Sequence, residues 1–141
     1  MRRLLLVALP MLALAGCQMP NQAPASRSVV FFTADSAALD ENAASLVSEV
    51  AERAKANPSL PIRVRGFAAP DGSPGFNRSL SEARARTVAD WFGQQVGVRT
   101  RAFAVSGKGE TTPIAPNAKP DGADDPAGRA RNRRVEVVIP R

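Results

Sequence analysis

The residue types in this chain limit the chemistry that it can perform. Histidine and tyrosine are absent from its 141 residues, and there is one cysteine. A histidine-dependent triad, a histidine metal cluster, a CxxC pair and an internal disulfide are therefore excluded. Two adjacent carboxylates, Asp124 and Asp125, lie in a loop rich in proline and glycine, where solvated turn residues are expected. We predict no enzymatic activity, no cofactor and no metal site.

One arginine stands where an amphipathic helix would carry an apolar residue. At about 100° per residue, with Leu80 at 0°, Trp91 falls at about 20° and Arg84 at about 40°, inside the apolar stripe. A guanidinium keeps its charge, so its burial requires a partner. Either Arg84 reaches past the stripe to water, or it points inward beside a loop rich in proline and glycine. In the second case its planar fork would suit a carboxylate.

The first sixteen residues have the features of an export signal. Two arginines at 2–3 precede an uncharged stretch of twelve residues at 4–15. A helix that spans a bilayer needs ~20 apolar residues, so this stretch is too short and fits a secretory signal peptide. We therefore assign residues 1–16 to a signal peptide that is removed on export.

The string LAGC at 14–17 resembles a bacterial lipobox, whose cysteine becomes the first mature residue. The resemblance implies that Cys17 carries acyl chains such as palmitate, and several such chains form a stable anchor. Gln18 stands where an aspartate signals inner-membrane retention, so sorting to the outer membrane is implied. The alternatives are an ordinary signal peptide with a chance cysteine and a cysteine buried in a short apolar helix. Residues 17–28 are expected to form a flexible tether.

The chain is basic, with a formal net charge of +6 and a sequence pI of about 11.0. In a cytosolic protein this charge would suggest nucleic acid as a partner. An exported lipoprotein instead faces the periplasm, where the anionic partners are cell-wall peptides and lipid headgroups. We therefore expect no binding of nucleic acid.

Hydrophobic periodicity beyond the tether predicts strands that alternate with helices. Asp40 can cap the first helix, and the string SLSE at 79–82 matches a capping box that would start the second. This alternation favours an α/β (α+β) sandwich, βαβαβ-β, with helices packed on the sheet, in one domain over 29–141. The predicted elements are a strand at 29–32, a helix at 40–56, a strand at 62–66, a helix from 79 to about 96, a strand at 102–107, a long loop at 108–128, a helical turn at 129–132 and a one-sided last strand carrying Val135, Val137 and Ile139.

Several strings along this domain resemble the OmpA-like C-terminal domain, the family of the peptidoglycan-associated lipoprotein. They are IRVRG at 62–66, NRSLSEARA at 77–85, GKGE at 107–110 and NRRVE at 132–136. The match covers about 29–139, which is essentially the whole domain. The resemblance implies a mixed sheet, and non-covalent binding of the peptidoglycan stem peptide, chiefly through diaminopimelate.

The resemblance also implies roles for individual residues. The family arginine of LSxxRA, which holds a ligand carboxylate, is Arg84, and the asparagine of NxxLS is Asn77. The family aspartate of GHTDxxG, which holds the ligand's ammonium, is replaced by Ala69 when the loop is aligned on its last glycine, Gly72. Asp71 is then either a substitute for that aspartate or an ordinary turn residue.

A basic cluster, Arg129, Arg133 and Arg134, precedes and begins the last strand. Arg133 shares strand parity with core-facing Val135, so it either pairs with an acidic residue or lines the ligand loop. Arg134 shares parity with Glu136 and is expected to face solvent.

Two functions fit these observations. The first is an outer-membrane lipoprotein whose domain binds the stem peptide and so tethers the outer membrane to the wall. The second is an envelope structural protein that has lost wall binding and docks protein partners, and Ala69 and Phe67 favour it. The ligand-binding residues expected for the first function are Arg84, Asn77, Asp71, Gly72 and Arg133.

Overall fold

The computed structural model describes residues 25–56, 61–95 and 102–140. The predicted signal peptide, Cys17 and most of the predicted tether lie outside these residues. Along them the chain forms β1 (Ser26–Phe31), α1 (Glu41–Ala54), β2 (Ile62–Gly66), α2 (Pro74–Gln94), β3 (Phe103–Gly107), α3 (Pro126–Asn132) and β4 (Arg134–Ile139).

The four strands form one mixed sheet in the order β1-β4-β2-β3. β4 is antiparallel to both β1 and β2, whereas β2 and β3 are parallel. A parallel pair needs a crossover connection, and α2 supplies it. The expected α/β sandwich, with a mixed sheet and helices packed on it, is confirmed.

The core lies between one face of the sheet and helices α1 and α2. Valines from both layers meet there and are at most 1% exposed. Burial of a valine contributes roughly 1.5–3 kcal/mol relative to exposure, so this contact fixes the helices on the sheet. The valines are Val47 and Val50 from α1, Val88 from α2, and Val30, Val64, Val135 and Val137 from the sheet.

The first helix begins where the sequence predicts. Asp40 is its N-cap, and its Oδ1 accepts a hydrogen bond from the backbone N–H of Ala43 at 2.7 Å. This bond satisfies one of the N–H groups that the first turn leaves without a partner. α1 ends at Ala54, two residues before the expected limit.

The second helix begins earlier than the capping-box pattern predicts. Its N-cap is Ser73, whose hydroxyl accepts a hydrogen bond from the N–H of Phe76 at 3.2 Å. The Ser79 hydroxyl lies inside the helix and donates to the Gly75 carbonyl at 3.1 Å. The expected start at Ser79 is therefore wrong, because Pro74, whose fixed φ suits a first helical position, directly follows a capping serine.

The last strand is buried on both faces. Arg134 and Glu136, which face away from the helices, are only 2% and 1% exposed. The Arg134 Nε donates to Glu136 at 2.9 Å, and its guanidinium lies 3.8 Å from the centroid of the Phe67 ring. Arg27 and Arg65 also pair with Glu136. The expectations of a solvent-facing Arg134 and of a one-sided strand are wrong, because ion pairs and an aromatic ring cover this face.

Two further boundaries differ from the sequence pattern. β1 begins at Ser26, inside the segment expected to be tether, because its backbone pairs with β4 as far as Ile139. Polar side chains at 26–28 hide this pairing from a hydrophobicity pattern. The turn expected at 129–132 is the end of α3, whose cap is Asp125. No helix within the described ranges is long and apolar enough to cross a membrane.

Candidate functional site

Two glycines at strand ends let α2 lie close against the sheet. A Cβ on Gly66 would lie 1.8 Å from the Ser81 carbonyl oxygen, and one on Gly107 would lie 2.7 Å from the Arg78 carbonyl oxygen. Since a side chain cannot approach backbone so closely, this contact requires glycine. The contact fixes which residues of α2 point into the protein, and Arg84 is one of them.

Arg84 is fully buried, so it points inward and does not reach past the apolar stripe to water. Its Nε donates to the Ser36 carbonyl at 2.7 Å, and its Nη2 donates to the Thr33 carbonyl at 2.8 Å. Its guanidinium carbon lies 5.5 Å from the centroid of the Phe32 ring. Its Nη1 is buried without a hydrogen-bond partner. No carboxylate in the described part of the chain forms an ion pair with it.

Burial without a counter-ion destabilises the charge on Arg84. Desolvation, followed by the charge of Arg133, lowers the pKa of Arg84 to about 10, against the opposing effect of Asp35 and Asp71. The guanidinium therefore stays charged at neutral pH, in surroundings that lack a full compensating charge. An anion from outside the fold would supply that charge.

The loop between β1 and α1 covers Arg84. Thr33 and Ser36 provide the two carbonyls, and Asp35 between them has a left-handed backbone conformation with φ of 49°. Aspartate adopts this conformation more readily than most residues. Asp35 is exposed, and its carboxylate has no hydrogen-bond or ion-pair partner among the described residues.

A cleft of about 380 Å³ opens between this loop and α3. Phe32 and Thr33, which contact Arg84, line one side of the cleft. Arg133 lines the other side, together with α3. Arg84 itself is fully buried and does not line the cleft, which lies next to it on the far side of Phe32 and Thr33.

Asp71 lies between two arginines at the end of α3. Its Oδ1 is 3.3 Å from Nη1 of Arg129, and its Oδ2 is 3.4 Å from Nη1 of Arg133. Arg129 also pairs with Asp124 at 2.6 Å. Arg133 therefore pairs with an acidic residue, which is one of the two alternatives that the sequence left open, and it also lines the cleft.

Asn77 and Gly72 hold the loop that carries Asp71. Asn77 is 1% exposed, and its Nδ2 donates to the Gly72 carbonyl at 3.0 Å and to Glu110 Oε2 at 2.6 Å. These bonds join the loop after β2 to the turn after β3 and so position Asp71. Within the described residues, no group of three or more acidic or cysteine side chains is arranged to hold a metal ion.

The sequence model of the OmpA family matches residues 31–126, which include the loop over Arg84 and the loop that carries Asp71. The chain belongs to the OmpA family. The peptidoglycan-binding protein ArfA of Mycobacterium tuberculosis is 37% identical over 110 residues, which are 78% of this chain and 32% of ArfA. Outer membrane protein A of Bordetella avium is 31% identical over 143 residues, covering 92% of this chain and 70% of that protein. The chain spans about a third or less of the first curated relatives that it matches.

The fold of this OmpA-family chain is similar to that of a solved relative. The crystal structure of the peptidoglycan-associated lipoprotein from Burkholderia pseudomallei matches with a TM-score of 0.68 and 25% identity, over 78% of this chain and 87% of that one. The resemblance to the OmpA-like domain is thereby confirmed.

The OmpA-family strings also contain residues that hold loops in place. The Ser81 hydroxyl accepts a hydrogen bond from the N–H of Gly109 at 2.8 Å. The Asn132 Oδ1 accepts from Ile114 at 2.8 Å and from Ala115 at 3.1 Å. Both residues therefore fix the long loop after β3, a role that the sequence pattern alone did not reveal.

Sequence reasoning also missed several residues around Arg84. Thr33 and Ser36 act through their carbonyls, which carry no signal in residue type, and they lie 51 and 48 positions from Arg84. Arg129 was recognised as basic but not as a partner of Asp71. The one available signal was Asp35, an acidic residue in a loop before a helix, and such residues are common in turns.

Proposed function

We propose that this protein is an outer-membrane lipoprotein whose OmpA-family domain binds the peptidoglycan stem peptide non-covalently and tethers the outer membrane to the cell wall. Cys17 carries the lipid, a short segment links it to β1, and the domain faces the periplasm. The names of ArfA and of the peptidoglycan-associated lipoprotein, which this chain resembles in sequence and in fold, support this role. The domain acts by binding and not by catalysis.

The state of Arg84 is the observation that carries the proposal. A fully buried guanidinium held by two backbone carbonyls, without a carboxylate, is unfavourable unless an anion completes it. A stem peptide of the diaminopimelate type presents a free carboxylate that would do so. A hydrogen bond between charged groups of this kind is worth about 1.5–3 kcal/mol.

The other expected site residues surround Arg84 at different depths. Arg133 and Asp71 form the charged rim beside the cleft. Asn77 and Gly72 hold the loop that carries Asp71. In this proposal the rim residues face the ligand, and the two deeper residues keep the rim in position.

A specific observation favours a second function, that of an envelope scaffold without wall binding. Ala69 occupies the position of the family aspartate and is 1% exposed, so no carboxylate is available there. Loss of one charge-assisted hydrogen bond lowers affinity by roughly one to two decades. In this second function the domain docks protein partners in the envelope.

Sedimentation with purified peptidoglycan separates the two functions. The wild-type protein should sediment with the peptidoglycan, and Arg84→Met should reduce the bound fraction by about tenfold or more, because it removes the carboxylate receptor. Arg86→Met is the matched control, since Arg86 lies two positions away on the exposed face of α2 and pairs with Glu82.

The outcomes of this experiment are distinct. Retention of binding by Arg86→Met and loss by Arg84→Met would support wall binding through Arg84. If the wild-type protein does not sediment, the wall-binding function is wrong and the scaffold remains. Thermal unfolding of each variant checks that lost binding does not reflect lost folding.

A separate experiment tests the lipid anchor. Cys17→Ser removes the thiol that would be acylated, so the protein should move from the outer-membrane fraction to the soluble periplasmic fraction. Incorporation of labelled palmitate by the wild-type protein, and not by the variant, would confirm acylation. Retention of the variant in the membrane would contradict a lipid anchor at this residue.

A further inference from the structure

The face of the sheet that points away from the helices carries an excess of positive charge. Among the side chains that the four described strands direct to this face, Glu136 is the single carboxylate. Three arginines on the same face reach solvent. The side chains of Arg27 and Arg65 are 53% and 40% exposed, and Arg63 is exposed as well. We call Arg27, Arg63 and Arg65 the basic face.

The register of the strands brings the basic face together. Arg27 of β1 and Arg63 of β2 both pair with Val138 of β4, which lies between them. Neighbouring strands are about 5 Å apart, so the backbones of these two arginines are separated by about 10 Å. Arg65 follows two positions after Arg63 on the same side of β2. Such spacings are comparable with the Debye length of about 8–10 Å, so the three charges act together on an approaching anion.

The fold compensates this charge only in part. Glu136 pairs with Arg27, with Arg65 at 3.4 Å and with Arg134 at 2.9 Å, so one carboxylate serves three guanidinium groups. Arg63 has no hydrogen bond or ion pair among the described residues. The basic face therefore keeps a net positive charge toward solvent, which an anionic surface would balance.

The basic face lies toward the end of the domain that is opposite to the loops around Arg84. β1 and β2 run in the same direction, because both are antiparallel to β4. Arg27 and Arg63 are the second residues of these strands, whereas the loop over Arg84 follows the last residue of β1. The four positions from Arg27 to Phe31 correspond to about 13 Å of strand.

The chain enters the domain at the end that carries Arg27 and Arg63. Residues 18–25 separate Cys17 from Ser26, the first residue of β1. Even a fully extended segment of this length reaches at most about 30 Å. With lipid on Cys17, this end of the sheet is therefore the one held nearest to the membrane.

Resting on the lipid anchor of the proposed function, we propose that the basic face docks on anionic phospholipid headgroups of the membrane that holds the acyl chains. The guanidinium groups of Arg27, Arg63 and Arg65 would bind headgroup phosphates, for which their planar forks are suited. Salt screens such a contact, so it orients the domain and does not replace the acyl anchor. Docking in this way leaves the loops around Arg84 directed away from the membrane and toward the wall.

Sedimentation with lipid vesicles tests the proposal without the acyl anchor. The mature protein with Cys17→Ser is mixed with vesicles of phosphatidylcholine alone, or of equal parts phosphatidylcholine and phosphatidylglycerol. It should bind only the vesicles that contain phosphatidylglycerol, and added sodium chloride should release it. Arg63→Gln should lower the partition coefficient about fivefold, the contribution of one basic residue at an anionic surface. Since Arg63 has no partner in the fold, its replacement leaves the other contacts of the sheet in place.

A matched pair of double variants separates the basic face from net charge. Arg27→Gln combined with Arg63→Gln should lower vesicle binding by about tenfold or more. Arg53→Gln combined with Arg86→Gln makes the same change in net charge on the exposed sides of the two helices, and should lower binding by less than about threefold. Urea unfolding of both double variants checks the fold, because Arg27 also pairs with Glu136.

Three results would overturn the proposal. The first is absence of binding to the vesicles that contain phosphatidylglycerol. The second is an equal loss of binding in the two double variants, which would indicate an effect of net charge alone. The third is that Arg27→Gln with Arg63→Gln loses sedimentation with peptidoglycan and keeps vesicle binding, because the basic face would then be turned toward the wall.

The proposed wall tether can fail separately from this inference. If the wild-type protein does not sediment with peptidoglycan but binds anionic vesicles through Arg27 and Arg63, wall binding is wrong and membrane docking stands. If it sediments with peptidoglycan and ignores the vesicles, wall binding stands and membrane docking is wrong.

Discussion

Two arginines, Arg134 and Arg84, are buried in the same domain with opposite electrostatic surroundings. Arg134 donates to Glu136 at 2.9 Å and stacks on the Phe67 ring at 3.8 Å. Arg84 is held by two backbone carbonyls and has no acidic partner among the described residues. Each of the two arginines leaves its Nη1 without a hydrogen bond, so this property is common to both. They differ in whether the fold provides a carboxylate as counter-ion.

This difference in counter-ion indicates a different role for each arginine. Arg134 has a buried carboxylate within the fold as its counter-ion, which it shares with Arg27 and Arg65. It therefore has an internal ionic partner, which Arg84 lacks among the described residues. Arg84 lies under the loop between β1 and α1, and no carboxylate of the described residues forms an ion pair with it. Stability is thus expected to depend on the first arginine and ligand binding on the second.

The largest expected effect comes from removing the carboxylate beside Arg134, so that Arg134, like Arg84, lacks a counter-ion. Glu136→Gln removes the carboxylate that three arginines share, and should lower the free energy of unfolding by about 3 kcal/mol, as breaking a buried ion pair does. Urea denaturation measures this loss. Glu82→Gln, which breaks an exposed pair with Arg86, should cost less than about 1 kcal/mol. Equal losses in the two variants would contradict a structural role for Glu136.

The next prediction compares the two arginines directly. Arg134→Met should lower the free energy of unfolding by about 2 kcal/mol, because Glu136 keeps two other arginines as partners. Arg84→Met should change it by less than about 1 kcal/mol, since the loss of two hydrogen bonds is offset by removal of an uncompensated buried charge. Urea denaturation of both variants, beside the wild type, measures the difference. If Arg84→Met is the more destabilising variant, Arg84 is structural.

A smaller effect should come from the ligand itself. At ten times its dissociation constant, the stem-peptide fragment L-Ala–γ-D-Glu–meso-diaminopimelate, a tripeptide, should raise the free energy of unfolding of the wild-type protein by about 1.4 kcal/mol. Arg134→Met should retain this stabilisation, and Arg84→Met should lose it. The same urea experiment, with and without the tripeptide, gives the answer. Stabilisation of Arg84→Met would place the ligand elsewhere on the domain.

The smallest expected effect is the response to acid. Burial raises the pKa of Glu136, but hydrogen bonds from Arg27 and Arg134 outweigh it and hold the pKa below its ordinary value of 4.5. The unfolded chain therefore binds more protons below that value. The stability that this carboxylate contributes is complete above pH 4.5 and is lost as pH falls through the lower pKa of the folded state.

Unfolding measured at a series of pH values checks this dependence. The stability difference between wild type and Glu136→Gln should shrink toward acid. Peptidoglycan binding through Arg84, whose pKa is about 10, should not follow the titration of Glu136. A constant difference across the acid range would show that the charge of Glu136 does not contribute.

Local sequence signals predicted the strand and helix order and placed Arg84 within the apolar stripe of α2, but they left open whether its guanidinium points inward or reaches water. Hydrophobic periodicity and helix capping are local properties, because each depends on residues only a few positions apart. The start of α2 was missed because a second serine, Ser79, also matches the N-cap pattern, six residues after the true N-cap at Ser73. A local pattern cannot distinguish two candidate caps when both are followed by helix-forming residues.

The charge partners could not be predicted, because they depend on distant contacts. Asp71 meets Arg133 across 62 positions, and Arg84 meets Thr33 across 51. Strand parity placed Arg134 correctly on the face opposite the helices but equated that face with solvent. Parity says which way a side chain points, and only the tertiary structure says what covers it.

The order of strands has a consequence for how the domain assembles. β1 lies at the edge of the sheet, and its one neighbour among the described strands is β4. Ser26–Phe31 therefore have no strand to join until Arg134–Ile139 are in place, so this edge forms only through a contact between distant parts of the sequence, which is slow to form. The final strand also delivers Glu136 to the arginines of its two neighbours. Completion of the sheet and pairing of Glu136 with these arginines therefore occur together.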